Sequence, residues 1–258
     1  MLSIIAGVIL YFFNVDALLE KDVNPIFNWK FLERKEHYAL LLGISVFFPF
    51  ILSFDKNVHF WKKWGPLGMS TVIVGAFYVI WDSIFTHLGV WGFNEAYHTG
   101  AKWFSLPWEE ILFFIIIPYC CIFIYECLNF YLKDVRLSIE PWFTAALFGF
   151  LLITGIIYAD HLYTGISFLF GAAMTVFHMM FFDSIQRLRF YRTWLVCLIP
   201  FFLINGSLTG GFTLEPVVLY SSTEYIGIRI YTVPLDDAIY LYGYLLWAIT
   251  LFDFFKKK

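Results

Sequence analysis

Apolar positions run through this chain in blocks too long for the elements of a soluble domain. Such blocks fall at 38–54, 66–86, 108–130, 141–159, 165–182, 194–208 and 235–255. An α-helix rises ~1.5 Å per residue, so about 20 residues cross the ~30 Å hydrocarbon core of a bilayer. The pattern therefore predicts an all-α polytopic membrane protein with seven core transmembrane helices. A further apolar run at 2–19 is interrupted by Asn14 and Asp16. It has neither a basic leader region nor a small-residue cleavage site, and reads as an extra span or an interfacial helix rather than a signal peptide. Between it and the first core span the chain is charged with mixed sign.

Two of the spans open alike. Leu106-Pro107-Trp108-Glu109-Glu110 begins one and Val233-Pro234-Leu235-Asp236-Asp237 the other, and both read Pro-x-acid-acid-x15-acid, the last acid being Glu126 or Asp253. Proline suits a first helical turn, where no N–H is needed, and the helix dipole favours negative charge there. By helical rise the acid pair lies near one membrane face and the third acid ~24 Å away, near the other. The likeness extends to Ser53-Phe54-Asp55 against Phe181-Phe182-Asp183 and to Phe60-Trp61-Lys62 against Phe190-Tyr191-Arg192, at offsets of 128 and 130, with 127 between Pro107 and Pro234. A duplicated three-span unit is the simplest account. The expected organisation is an N-terminal appendage at 1–34 with room for an extra helix, a first repeat at 35–131, an adaptor span at 141–159 and a second repeat at 165–258. Joined directly, two three-span units would point opposite ways. The adaptor restores parallel orientation and brings both acid pairs to one side.

Composition agrees. With 60% hydrophobic and only 14% charged residues, a soluble globule would leave much of its apolar surface in water. A net charge of −3, without any basic tract, gives no case for nucleic acid as a partner. The loops after the first, third and fifth core spans, with the C-terminus, hold eleven Lys and Arg, and the opposite side six. That excess predicts a cytoplasmic location for the eleven-residue side and a non-cytoplasmic one for the acid pairs. Cys120, Cys121, Cys127 and Cys197 all lie inside apolar runs without zinc-ligand spacing, so they read as packing residues and no metal site is expected.

The candidate chemistry is carried by carboxylates. Asp82, in Trp81-Asp82-Ser83 near the end of the second span, falls on the same side as both pairs, so Asp82, Glu109, Glu110, Asp236 and Asp237 can converge. Ionising all five in a low-dielectric pocket would be prohibitive, so some are expected to hold a proton while helix N-termini favour ionisation of others. That is a proton-donor and proton-acceptor arrangement. Simple helix capping at headgroup level is the bland alternative, but capping does not need two consecutive acids twice. The adjoining loops, 88–105 and 209–232, are long and aromatic. Trp81, Trp91, Phe93, Asn94, Trp108, Tyr220 and Arg229 are the candidate substrate-contacting residues there. Aromatic faces stabilise a cation by ~0.5–2 kcal/mol each, although an interfacial aromatic belt would look similar. Arg229, the one arginine on this side after the first span, is expected to pair with one of the acids. Asp55, Glu126, Asp183, Asp253 and His178 fall toward the other face, where pairing with basic loops or plain packing accounts for them.

Taken in order, Phe54-Asp55-Lys56, Gly89-Val90-Trp91-Gly92-Phe93-Asn94, Leu106-Pro107-Trp108-Glu109-Glu110 and the stretch from Pro216-Val217-Val218 through Gly227-Ile228-Arg229 to Asp236-Asp237 resemble the membrane-integral lycopene cyclase family. Its members occur as two small bacterial subunits or as fused chains. The likeness covers about 35–255. It departs at Asp236-Asp237, where Glu-Asp is commoner, and in the first 34 residues, which look additional. The resemblance implies cyclisation of the acyclic ends of lycopene, or a related acyclic carotenoid, to the β-ionone rings of β-carotene, in the bilayer of a bacterial cytoplasmic membrane. A protonated carboxyl would add H⁺ to the terminal double bond, the next double bond would attack the tertiary cation, and a carboxylate would remove a ring proton. Such an isomerisation has no net redox change and implies no cofactor; the Gly-x-Gly-x-x-Gly fingerprint of flavin-binding designs is absent from the sequence. Rival classes fit less well. A membrane prenyltransferase would want more basic residues beside its acids, a di-iron hydroxylase would want histidine pairs at helical spacing, and a retinal receptor a lysine inside a span. An acid-lined transporter shares the intramembrane carboxylates.

Overall fold

The computed structural model describes residues 19–20, 25 and 27–257. Most of the expected 1–34 appendage, including the apolar run at 2–19 up to its last residue, lies outside the described residues. Seven helices follow: α1 His37–Leu52, α2 Trp64–His87, α3 Trp108–Tyr131, α4 Glu140–Ile157, α5 Leu162–Phe181, α6 Ser184–Leu208 and α7 Leu235–Lys256. Short strands lie between them: β1 Trp91–Phe93, β2 Lys102–Trp103, β3 Leu106–Pro107, β4 Val218–Tyr220, β5 Arg229–Ile230 and β6 Val233–Pro234. Helices α2 to α7 are long and apolar enough to cross a membrane. The fold is all-α and polytopic, as the pattern predicts.

Two helix boundaries differ from the sequence reading. The span expected at 38–54 is a 16-residue helix, α1, with a rise of only ~24 Å. At the start of α6 the helix begins ten residues before the apolar run at 194. Asp183 caps it, accepting from the backbone N–H groups of Ile185 at 2.9 Å and Gln186 at 3.1 Å, while the Gln186 side chain accepts from the Asp183 N–H. The polar first turns find carboxylate partners on neighbouring segments. Arg187 donates to Glu140 at 2.6 and 3.0 Å, and Arg189 to Asp134 at 2.8 and 2.5 Å.

In chain order α1–α3 make a first set of three helices, here a unit, and α5–α7 a second, with α4 between them packed on α5 and α6. Contact between the units is reciprocal: α2 lies on α7, and α6 on α3. The loops show the relation most sharply. Strand β1 pairs antiparallel with β4 through Trp91↔Tyr220, Gly92↔Leu219 and Phe93↔Val218. Gly92 and Leu219 are 127 apart, as are Trp91 and Val218, and Phe93 and Tyr220, so Gly92 meets its own equivalent, Trp91 that of Phe93, and Phe93 that of Trp91. This is the signature of a pseudo-two-fold axis through the middle of the ribbon. The hairpins β2–β3 and β5–β6 obey the same offset, pairing Lys102↔Pro107 and Arg229↔Pro234. Pro107 and Pro234 sit at the N-cap, one position before the first turn, with φ of −57° and −56°.

Helix α7 is buried nearly all round, as befits a helix apolar on every face. A Cβ at Gly243 would come within 2.9 Å of Phe170 Cδ1, so only glycine lets α5 and α7 approach this closely. Prolines inside the helices free carbonyls that other helices use. Pro118 releases Phe114 O, which accepts from the Tyr244 hydroxyl at 2.8 Å, and Pro49 releases Ser45 O, which accepts from Cys120 Sγ at 3.4 Å.

Candidate active site

Consecutive helical residues point ~100° apart, so the two acids at each helix start cannot face the same way. The structure separates them. Glu109 turns toward the loop before its helix, where Oε1 accepts from the Thr99 backbone N–H at 2.8 Å and the Thr99 hydroxyl at 2.7 Å, and Trp108 Nε1 donates to that same hydroxyl. Beside it, buried His98 accepts from the Gly100 N–H at 3.0 Å, and burial lowers its pKa. In the second unit Asp236 accepts from Thr164 Oγ1 at 2.5 Å. The first acid of each pair thus turns away from its partner, Glu109 to nearby backbone and Asp236 to a hydroxyl on α5.

The second acids, Glu110 and Asp237, face a common cavity. Asp82 reaches it from α2, and Trp91, Phe93 and Tyr220 line it from the β1–β4 ribbon. The cavity is small, about 60 Å³. Glu110 Oε2 accepts from the Tyr38 hydroxyl at 2.6 Å. Asp237 accepts three side-chain bonds: Tyr163 OH to Oδ1 at 2.5 Å, and Tyr220 OH and Asn205 Nδ2 to Oδ2, both at 2.9 Å. Tyr38 and Tyr163 are each the second residue of their helix, α1 and α5, so similar places supply a donor to each acid. The units then diverge. Asp82 Oδ2 is buried with no hydrogen-bond partner among the described residues, whereas the second helix of the other unit offers Asn205. Burial, then the adjacent Asp237 carboxylate, pushes the Tyr220 phenol well above its ordinary pKa, so it remains a donor.

Aromatic rings enclose the acids. Tyr240 and Tyr244 rise from α7 one turn and two turns after Asp237, and Phe113 of α3 and Phe201 of α6 line another side. Trp91 meets Tyr163 edge-on at 5.0 Å, which fixes both rings.

Of the residues singled out in the sequence, Asp82, Glu110, Asp237, Trp91, Phe93 and Tyr220 share the cavity, while Glu109, Asp236, Trp81, Asn94, Trp108 and Arg229 do not line it. Trp81 stacks on Tyr78 at 5.2 Å behind the cavity. Asn94 shapes a turn, accepting from Ala96 N–H at 3.1 Å and donating to Glu215 at 2.8 Å. Arg229 departs from expectation, for it pairs with Glu20 at 2.7 Å rather than with one of the five acids. Its guanidinium also lies over the Tyr220 ring, 5.6 Å from the centroid, and thereby braces a ligand of Asp237. Tyr38, Tyr163, Asn205, Tyr240 and Tyr244 were missed by sequence reasoning. A buried tyrosine at a helix start opposite an acid needs a hydrogen-bond partner, and that was the available signal.

At the other face the remaining acids are satisfied. Glu126 is paired with Lys63 and with Lys256, the latter at 2.7 Å, and Asp253 accepts from Tyr125 OH at 2.5 Å. His178 bonds Thr250 at 2.8 Å.

A family model described as Lycopene cyclase matches residues 35–128 and 160–255, both repeats included. No curated protein and no solved structure matches the chain.

Proposed function

The chain belongs to the lycopene cyclase family and is a membrane enzyme that cyclises lycopene, and from that premise we propose that Asp82 and Glu110 deliver the proton and Asp237 removes one. The observation that carries this reading is the convergence of the second acid of each repeat, with Asp82, on one aromatic cavity. Asp82 Oδ2 has no competing partner, so a proton on it is free to reach a terminal double bond of the substrate. Protonation there forms a C–H bond and a tertiary cation. The neighbouring double bond closes the ring and moves the charge inward, where rings such as Tyr240, Tyr244 and Trp91 stabilise it by ~0.5–2 kcal/mol each. Asp237, fed by three donors, suits an acceptor, and loss of a ring proton to it leaves a β-ring. One proton enters and one leaves, so electrons balance without an oxidant.

The 127-residue offset supports 35–131 and 165–258 as the duplicated units and 141–159 as the adaptor between them. The basic-residue excess supports an orientation with the acid cavity in the non-cytoplasmic half, and the family suits a bacterial cytoplasmic membrane. Expression in a lycopene-accumulating bacterial host tests the whole reading. Pigments with β-rings are expected; red lycopene left unchanged, with the protein present in the membrane, would refute it.

A further inference from the structure

A second, apolar cavity of about 350 Å³ lies between α1, α3 and α6. It shares four lining residues, Phe113, Phe201, Asn205 and Leu241, with the acid cavity. The shared Asn205 is the residue that donates to Asp237. Pro49 of α1 and Pro200 of α6 both line the gap, and α1 and α6 touch little. An internal proline removes a backbone bond and prevents a straight, close-packed helix, which explains why the two helices leave space here. Along α3 the gap runs from Phe113 to Ile124, ~17 Å by helical rise and over half of the ~30 Å bilayer core. Ile44, Phe48 and Leu203 at its rim are 55%, 66% and 60% exposed, so it opens sideways into lipid.

We infer that this groove holds the polyene shaft of the carotenoid while one end lies among Asp82, Glu110 and Asp237, and that the substrate comes and goes laterally through the gap between α1 and α6. The inference rests on the cyclase reading. Its occupant follows from continuity: a linear hydrocarbon whose reacting end touches Asp237 must leave the acid cavity somewhere, and the shared wall beside Asn205 is apolar. A larger apolar groove, about 620 Å³ between α2 and α3, is the contrast. It shares no lining residue with the acid cavity, and it is sealed where a Cβ at Gly75 would sit 3.1 Å from Phe114 O. Because the shaft and one end fill the site together, a single binding event cyclises one end. Formation of two rings requires the monocyclic product to leave and return reversed.

The test uses the full chain in liposomes containing lycopene, with product formation normalised to folded protein by size exclusion. Ile117→Trp and Ile204→Trp, with milder Ile117→Phe and Ile204→Phe in case the larger ring prevents folding, fill the inferred groove. Val72→Trp and Val79→Trp fill the other. The first set is expected to slow cyclisation about tenfold or more and the second to stay within about twofold, where tenfold corresponds to 1.36 kcal/mol of barrier. Monocyclic product should precede bicyclic in the wild type. Unimpaired turnover in the folded Ile117 and Ile204 variants, as expected if an acyl chain of the membrane fills the groove instead, would overturn the inference, and so would loss confined to the Val72 and Val79 variants. A wild type unable to cyclise lycopene at all would remove the cyclase premise itself, which separates the two failures.

Discussion

Asp237→Asn separates chemistry from packing better than any other single change in this molecule. The carboxylate accepts from Tyr163, Tyr220 and Asn205. In the variant the amide oxygen can keep Tyr220 and Asn205, and the amide nitrogen then faces Tyr163, whose hydroxyl is able to rotate and accept. The structural loss is thus about one hydrogen bond, ~0.5–1.5 kcal/mol. By contrast, Asp237→Ala would strand three buried donors at ~1–3 kcal/mol each, and inactivity there would say little about mechanism. Losing a general base typically slows reaction ~10²–10⁴-fold. That range is ~2.7–5.4 kcal/mol of barrier. The expected result is therefore a near-normal thermal midpoint in detergent with an initial rate of β-ring formation down by at least ~10²-fold per folded molecule. A rate within a few-fold of wild type, at an unchanged midpoint, would show that Asp237 takes no ring proton.

The first acid of each pair should behave in the opposite way: Glu109→Gln and Asp236→Asn are expected to cost ~0.5–2 kcal/mol of stability, as for lost caps, while turnover per folded molecule stays near wild type, and inactivity at a normal midpoint would contradict a purely structural role for their bonds to Thr99 and Thr164. For topology, tags inserted after Asp55 and at the C-terminus should report cytoplasm and one in the loop between β1 and β2 the opposite face; two tags on opposite sides where one is expected would break the parallel arrangement.

The span pattern and the doubled acids were legible because lipid imposes long apolar runs and makes every buried carboxylate expensive. Which acid of each pair faces inward was not read, although the phase of α7 carries it: Tyr240, Leu241 and Tyr244 are three, four and seven residues after Asp237 and share its side. Tyr38 and Tyr163 escaped because tyrosine near a helix end normally belongs to the interfacial belt, and only the pairing with Glu110 and Asp237 distinguishes them. The start of α6 was hidden by its arginines, which look like loop residues until Glu140 and Asp134 are seen to neutralise them. Arg229 was assigned a wrong partner because Glu20 lies in a segment whose approach to the β4 edge nothing local encodes; its backbone N–H reaches Tyr220 O at 2.9 Å.

The ribbon joining Trp91-Gly92-Phe93 to Val218-Leu219-Tyr220 puts a symmetry axis beside a site that must be asymmetric to work. Two identical copies around such an axis would be bound to the same residue on both sides, donor facing donor or acceptor facing acceptor. Carrying both copies in one chain lifts that constraint. One copy keeps Asp82 with Glu110, and the other couples Asp237 to Asn205 and Tyr220. With the roles proposed above, the proton would be given by one half and taken by the other, so neither half would hold a complete catalyst and the division of labour would be a property of their union.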